Sequence, residues 1–194
     1  MPSSNSNQKK WDEAYQDADF SSATAVQVLL DNLYLLPPKG NALDLACGRA
    51  GNAQLLLEQG FQVDAMDISE VLIKGLKSYV ERQDLKINCM QRDVESSGLP
   101  EKKYDVIVVS YFLNRELFPQ IIRTLKPDGL LFYQTWSQQS IDDSGPSNPE
   151  FRLQTGELLE LCAAMRVILF REEGKQGDIR KGLRNEALLI AQKT

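Results

Sequence analysis

The sequence predicts an α/β fold: a single domain built on a mostly parallel sheet whose last strand runs antiparallel. Three observations carry this. Short apolar runs alternate with amphipathic stretches from residue 41 to residue 136. Their spacing of roughly 20–40 residues is what parallel strands joined by right-handed helical crossovers require. The last two apolar runs, 166–172 and 185–191, are joined too tightly for a parallel crossover and so pair antiparallel. A chain of 194 residues is the size of one such domain and buries a sizeable core without crosslinks.

Residues 1–10 (MPSSNSNQKK) hold almost nothing apolar and are expected to be a disordered tail ahead of a domain spanning 11–194. They also lack the apolar core of a secretory signal. Helices are expected at 11–17 and 22–35, the second from Val26, Leu29, Leu30, Leu33 and Leu36 at helical spacing, stopped by Pro37-Pro38-Lys39-Gly40. The first strand is 41–46 (NALDLA), followed by a glycine-rich turn and a helix at 51–59 that Gly60 closes. The second strand is 61–66, and Ser69 caps a helix running to Arg82 with Val71, Leu72, Leu76 and Val80 inward. The third strand is 85–91. The fourth, 104–110 (YDVIVVS), is the most continuously apolar, as a central strand covered on both faces should be. A helix at 116–125, a turn at Lys126-Pro127-Asp128-Gly129 and a fifth strand at 130–135 complete the alternation. The polar stretch 136–153 is longer than a connection in a compact domain usually is, so a lid or binding loop is expected there. A helix at 156–164 and a basic turn at 174–182 frame the last two of seven strands, and helices cover both faces.

The charge balance is acidic, with a formal net charge of -5, and no basic block stands out, so no nucleic-acid partner is expected. No apolar run approaches the roughly 18–20 residues of a membrane span, and a cytoplasmic protein, monomer or homodimer, is expected. Cys47, Cys89 and Cys162 are an odd count, far apart and within apolar stretches, so they read as buried thiols in a reducing compartment. The chain has no histidine, which removes Ser-His and Cys-His catalysis, histidine metal sites and the commonest neutral-pH base. No metal site is expected.

The turn after the first strand reads Asp44-Leu45-Ala46-Cys47-Gly48-Arg49-Ala50-Gly51-Asn52. Ala46, Gly48 and Gly51 fit a relaxed dinucleotide fingerprint, at a strand's carboxyl end where backbone must approach a ligand closely. Asp67 ends the second strand 19 positions beyond Gly48, the spacing at which a carboxylate meets ribose hydroxyls. Asp93 follows the third strand, placed to accept from an exocyclic amine, and Ile68 and Val94 would sandwich a base. Each aspartate is also an ordinary strand-end or cap residue; together, on successive strands at one sheet edge, they point to a site. A carboxylate at Asp44 beneath the loop repels phosphate and suits a ligand bearing an ammonium group. S-adenosylmethionine has adenine, ribose and an ammonium group, and no phosphate.

ALDLACGRAGN, VDAMDIS, RDVE, YDVIVVS and LKPDGLLFYQTW resemble, in order, the successive motifs of class I S-adenosylmethionine-dependent methyltransferases over residues 41–136. The resemblance implies a Rossmann-like sheet of seven strands with an antiparallel last strand. It gives Asp44, Ala46 and Gly48 to the methionine end of the cofactor, Asp67 to the ribose, Asp93 with Val94 to the adenine, and the Ser110 backbone to the methionine part. Ala46 and Ala50 depart from it, since glycine is usual at both. Trp11-Asp12-x-x-Tyr15 is similar to an amino-terminal element that covers the cofactor, or is a pair of aromatic anchors packing a helix.

The FLNRE stretch after the fourth strand, with LDLACG and Asn52, resembles the tellurite-resistance type, which methylates small oxyanions of tellurium and selenium. A histidine near the carboxyl terminus of that type has no equivalent here; the nearest counterpart is the turn 174–182 with Lys175, Arg180 and Lys181. Tyr111, Phe112, Asn114 and Arg115 are the substrate-pocket candidates. Arg115 offers paired donors for an oxyanion, Asn114 is also a natural helix cap, and Tyr111 and Phe112 wall a pocket or pack the sheet edge. In the loop, Trp136, Asp142, Asp143, Asn148 and Arg152 are further candidates. The expected function is methyl transfer from S-adenosylmethionine to a small-molecule acceptor, a thiol or a tellurium or selenium oxyanion, leaving S-adenosylhomocysteine. A site without histidine suits an acceptor that needs no proton removal. The alternatives are an NAD-binding oxidoreductase, for which no Tyr-x-x-x-Lys pair stands at a strand end, and a non-catalytic S-adenosylmethionine-binding module.

Overall fold

Residues 4–194 are described by the computed structural model, and the first three positions of the expected tail lie outside them. The rest of that stretch is a helix, α1 (Ser4–Ala14), which corrects the expectation of disorder. A tertiary tie supplies what its composition lacks: Asp12 Oδ1 accepts from Ser69 Oγ at 2.6 Å and from the Val71 amide at 3.1 Å. The expected helix 22–35 is instead a single turn, α2 (Gln27–Leu30), and a 3-10 turn at Leu33–Leu35. Distant side chains take the amides that begin it, Asn52 Oδ1 accepting from Val26 N and Gln134 Oε1 from Val28 N, each at 2.8 Å. Asn32 then folds back on the Val28 carbonyl at 2.9 Å.

From there the elements follow the expected alternation: β1 (Asn41–Leu45), α3 (Gly51–Glu58), β2 (Gln62–Asp67), α4 (Glu70–Arg82), β3 (Ile87–Gln91), α5 (Val94–Ser97), β4 (Tyr104–Ser110), α6 (Phe118–Thr124), β5 (Leu125–Trp136), α7 (Glu157–Leu161), β6 (Arg166–Arg171) and β7 (Glu186–Gln192). Among the described residues the seven strands form one sheet in the order β3-β2-β1-β4-β5-β7-β6. The first five are parallel, and β7 runs antiparallel to both β5 and β6. The expected fold class therefore holds. Boundaries differ most around α6 and β5. A 3-10 turn at Arg115–Leu117 precedes α6, and β5 absorbs the expected turn 126–129 as an irregular excursion with Asp128 at φ +61°. The Asp128 amide pairs with the Lys193 carbonyl at 2.9 Å, which keeps that excursion in the sheet.

The register of β4 shows why the middle of the sheet is so apolar. Val106 and Val108 belong to one buried layer and Ile107 and Val109 to the other, so consecutive side chains alternate between two covered faces. Each such side chain contributes about 1.5–3 kcal/mol of burial. Because β1 and β4 are neighbours while the chain leaves them in opposite directions, their carboxyl ends open a crevice, the place where an open α/β sheet binds ligands.

Candidate functional site

A cavity of about 720 Å³ opens at that crevice, with a wall that includes Gly48, Asp67, Asp93, Ser110 and Tyr111. Its size lies within the roughly 300–1,000 Å³ of small-molecule sites.

The loop between β1 and α3 is held in an unusual backbone. Ala46, Gly48 and Ala50 all lie at left-handed φ, +54°, +49° and +63°. Only Gly48 adopts this without a Cβ penalty, and a Cβ there would stand 3.2 Å from Tyr15 Oη, just past α1. Gly51 answers a different need: a Cβ would meet the Thr24 carbonyl oxygen at 2.2 Å, so the segment before α2 lies directly on the start of α3.

Asp44 is fully buried behind this loop and is not among the residues of the cavity wall. Its Oδ1 accepts from Asn52 Nδ2 at 3.1 Å and its Oδ2 from the Ala53 amide at 3.0 Å. A protein carboxylate thus caps the first turn of α3, where a dinucleotide fold receives pyrophosphate. Burial raises its carboxyl to about 7, with Asn52 and Ala53 pulling the other way. Asn52 is the hub that the sequence reading left as a motif letter: it bonds Asp44, Ser110 Oγ at 3.1 Å and the Val26 amide at 2.8 Å. A polar side chain near the start of a helix that is otherwise turned into the core was the available signal.

Asp67 and Asp93 are on the wall. Asp67 is 6% exposed; its Oδ2 accepts from the Gly48 amide at 3.1 Å and its Oδ1 from the Ser69 amide at 3.0 Å, which ties the end of β2 to the glycine loop. Burial raises its carboxyl above the usual range, against the amides of Ser69, Gly48 and Ile68. Asp93 is the N-cap of α5, accepting from Glu95 N at 3.0 Å and Ser96 Oγ at 2.9 Å. Ile68 and Val94 also border the cavity. Trp11 of α1 and Tyr15 just after it border the cavity, their rings stacked with centroids 5.7 Å apart. Burial, with Asp67 and Cys47 nearby, raises the Tyr15 phenol well above its ordinary range.

At the other end the wall is aromatic. Tyr111, Phe112, Trp136 and Phe151 border the cavity, and the Tyr111 and Trp136 rings lie 5.2 Å apart. Gly145 is pressed onto Trp136, where a Cβ would come within 2.5 Å of the indole. Asn114 and Arg115, the other two substrate-pocket candidates, are not on this wall. Arg115 Nε and Nη2 donate to Glu157 at 2.5 and 2.9 Å, Nη1 to the Glu150 carbonyl at 2.7 Å, and Nη2 also to the Arg152 carbonyl at 3.1 Å. Its donor fork is committed to the protein. Asn114 caps the turn at Arg115–Leu117 through Glu116 N at 3.0 Å and donates to Glu95 at 3.0 Å. Of the loop candidates Trp136 alone is on the wall. Arg152 pins the loop to itself, donating to the carbonyls of Pro146 at 2.8 Å, Ser137 at 3.0 Å and Ser144. Asp142 and Asn148 accept from the Ser144 and Glu150 amides as turn caps. In the basic turn, Arg180 pairs with Asp178 at 2.8 Å.

Two further polar residues, Gln134 and Glu186, were not foreseen. Gln134 is 2% exposed inside β5, a polar residue in an apolar strand, and its Nε2 donates to Glu186 Oε2 at 2.5 Å. The three cysteines are buried, and burial raises each thiol, Cys89 to about 11 and Cys162 to about 12, so none is a thiolate at neutral pH. Among the described residues no cluster of three potential ligands could hold a metal ion, and no helix is long and apolar enough to cross a membrane.

The fold is that of a Rossmann-like methyltransferase domain, and comparison with known proteins agrees. Residues 42–129 match the family model described as a methyltransferase domain. The putative methyltransferase YqeM of Bacillus subtilis is 30% identical over 122 residues, 58% of this chain and 49% of that protein. The probable S-adenosyl-L-methionine-dependent methyltransferase TehB of Haemophilus influenzae is 37% identical over 87 residues, 43% of this chain and 30% of that protein. This chain thus spans half or less of the length of these curated relatives. The crystal structure of TehB from Haemophilus influenzae superposes with a TM-score of 0.71 at 22% identity, covering 94% of this chain and 67% of that one. Over these residues the chain is similar to S-adenosylmethionine-dependent methyltransferases, TehB among them, and its fold is that of the TehB structure.

Proposed function

We propose that the protein transfers a methyl group from S-adenosylmethionine to a small-molecule acceptor. The observation that carries this reading is the arrangement of Asp44 and Asp67 around the glycine loop. Asp44 already caps α3, which disfavours a pyrophosphate and places negative charge beneath the loop, where an ammonium or sulfonium is favoured. Asp67 offers acceptor-only oxygens on the wall, suited to ribose hydroxyls, with Ile68 and Val94 as apolar faces for the base. When bound, the sulfonium supplies an activated methyl group; the protein's part is to hold donor and acceptor in line and exclude water.

The acceptor end speaks against the oxyanion expectation. Arg115, the residue that was to hold one, is bonded to Glu157 and two carbonyls, and the wall there is aromatic. A thiol, or another acceptor with an apolar body, suits that surface better. Incubating the protein with S-adenosylmethionine labelled in its methyl group and fractionated metabolites tests the reading. Label is expected in a small-molecule fraction that absorbs into apolar resin. Binding of S-adenosylhomocysteine with no labelled fraction would leave a binding module in place of an enzyme.

A further inference from the structure

One cluster beside the cavity is unused by anything above. Tyr111 follows the end of β4 at φ +54°, a conformation that costs a non-glycine residue about 1–2 kcal/mol. It is held there by its own amide, which donates to the Gln134 carbonyl at 2.9 Å, and by the Trp136 ring. Strained residues of this kind gather where a side chain must be aimed. The phenol lies 3.3 Å from both carboxylate oxygens of Glu186, at the start of β7. Glu186 is fixed in turn by Gln134, whose other end holds the Val28 amide. Tyr111 borders the cavity while Glu186 stands behind it. Burial raises the Glu186 carboxyl above the usual range, against the pull of Gln134 and Tyr111, and burial with the Glu186 charge pushes the Tyr111 phenol to about 12. Tyr111 is 47% and Phe151 49% exposed.

We propose that the Tyr111–Glu186 pair is the proton route for an acceptor that arrives neutral, an aryl compound whose nucleophilic oxygen or sulfur still carries its hydrogen. The inference rests on the methyl-transfer reading and replaces the expectation of an acceptor needing no proton removal. In the step, the acceptor's oxygen or sulfur forms a bond to the methyl carbon as the donor's sulfur–carbon bond breaks and leaves a neutral thioether. The acceptor's proton passes to Tyr111 Oη while Tyr111 gives its own to Glu186. One positive and one negative charge disappear together, the sulfonium and the carboxylate, so an apolar wall suits the product state. Tyr111 is the group that touches the acceptor; Glu186 acts through it as a positioning residue and final proton holder.

Phenol and thiophenol separate this role from a structural one, because thiophenol is already largely a thiolate at about pH 8 and phenol is not. Wild-type protein, Glu186→Gln and Tyr111→Phe are first titrated with S-adenosylhomocysteine by calorimetry. Phenol binding to each complex is then read by quenching of tryptophan fluorescence, both tryptophans being on the wall. Methyl transfer to phenol, thiophenol and selenite follows. Both substitutions are expected to lower kcat on phenol about 100-fold and on thiophenol less than about threefold, with phenol affinity kept within about threefold. Equal losses on the two acceptors, transfer to selenite alone, or intact S-adenosylhomocysteine binding with no turnover of phenol would each overturn the proton route. A wild-type protein that fails to bind S-adenosylhomocysteine would instead overturn the methyl-transfer reading beneath it.

Discussion

Asn52 Nδ2 stands 3.1 Å from Asp44 Oδ1, and this one contact joins the end of β1 to an amide side chain that also holds Ser110 and the Val26 backbone. Both residues are buried, at 4% and 0% exposure. Asn52→Ala strands the Val26 amide and one oxygen of Asp44. A loss of about 2–4 kcal/mol in denaturant unfolding is expected, from desolvated groups left unpaired. A loss below about 1 kcal/mol would show that the hub is incidental to the fold.

The same pair predicts a pH dependence. The Asp44 carboxyl, raised by burial to about 7, is largely neutral at pH 6 and ionised at pH 8. A cationic ligand above the loop favours the ionised form, so S-adenosylmethionine affinity should rise between about pH 6 and 7.5 and then level off. Asp67, raised in the same direction, adds to the same sign. For the ligand-free protein the sign reverses. A folded carboxyl above its unfolded value binds the extra proton, so Asp44's contribution to stability falls as pH climbs from about 4 to about 7. Calorimetric titrations at several pH values check the first effect, and Asp44→Asn should flatten the profile.

Backbone strain in the glycine loop gives opposite results at neighbouring positions. Ala46 is only half buried at φ +54°, so Ala46→Gly relieves strain at little cost in burial and should stabilise by about 0.5–1 kcal/mol. Ala50 is fully buried at φ +63°, and losing its methyl costs about 0.8 kcal/mol, which offsets the relief and leaves Ala50→Gly near neutral. Gly51→Ala forces a Cβ into the Thr24 carbonyl and should destabilise by about 2–3 kcal/mol. Thermal melting of the three variants checks all of this.

Asp67→Ala should weaken S-adenosylhomocysteine binding at least tenfold, about 1.4 kcal/mol. Because Asp67 also holds the Gly48 and Ser69 amides, part of that loss comes from the loop. Asp67→Asn keeps one carbonyl acceptor and should lose less. Equal affinity in wild type and Asp67→Ala, read by calorimetry, would remove the ribose contact.

What could be read from the sequence and what could not divides along a physical line. The sheet was legible because each strand announces itself within five to seven residues by apolar content, as NALDL and YDVIVVS do. The place of Asp67 and Asp93 on the cavity wall is legible for the same reason, since a polar residue at or just past the end of an apolar run is local information. The errors all came from long-range partners. The helix at Ser4–Ala14 depends on Ser69, which is 57 positions from Asp12. The shortening of α2 depends on Gln134, which is 106 positions from Val28. Arg115 looked like a free donor because Glu157, 42 positions on, cannot be paired with it by inspection. The position of Asp44 behind the wall follows from its bond to the Ala53 amide on the next helix.

Calorimetric titration of the wild-type protein with S-adenosylhomocysteine and, separately, with NADH decides the account. A pocket with Asp44 on the first turn of α3 and Asp67 above it should bind the first at micromolar concentration and the second not detectably. Tight binding of NADH, with its pyrophosphate seated at the end of α3, would contradict it.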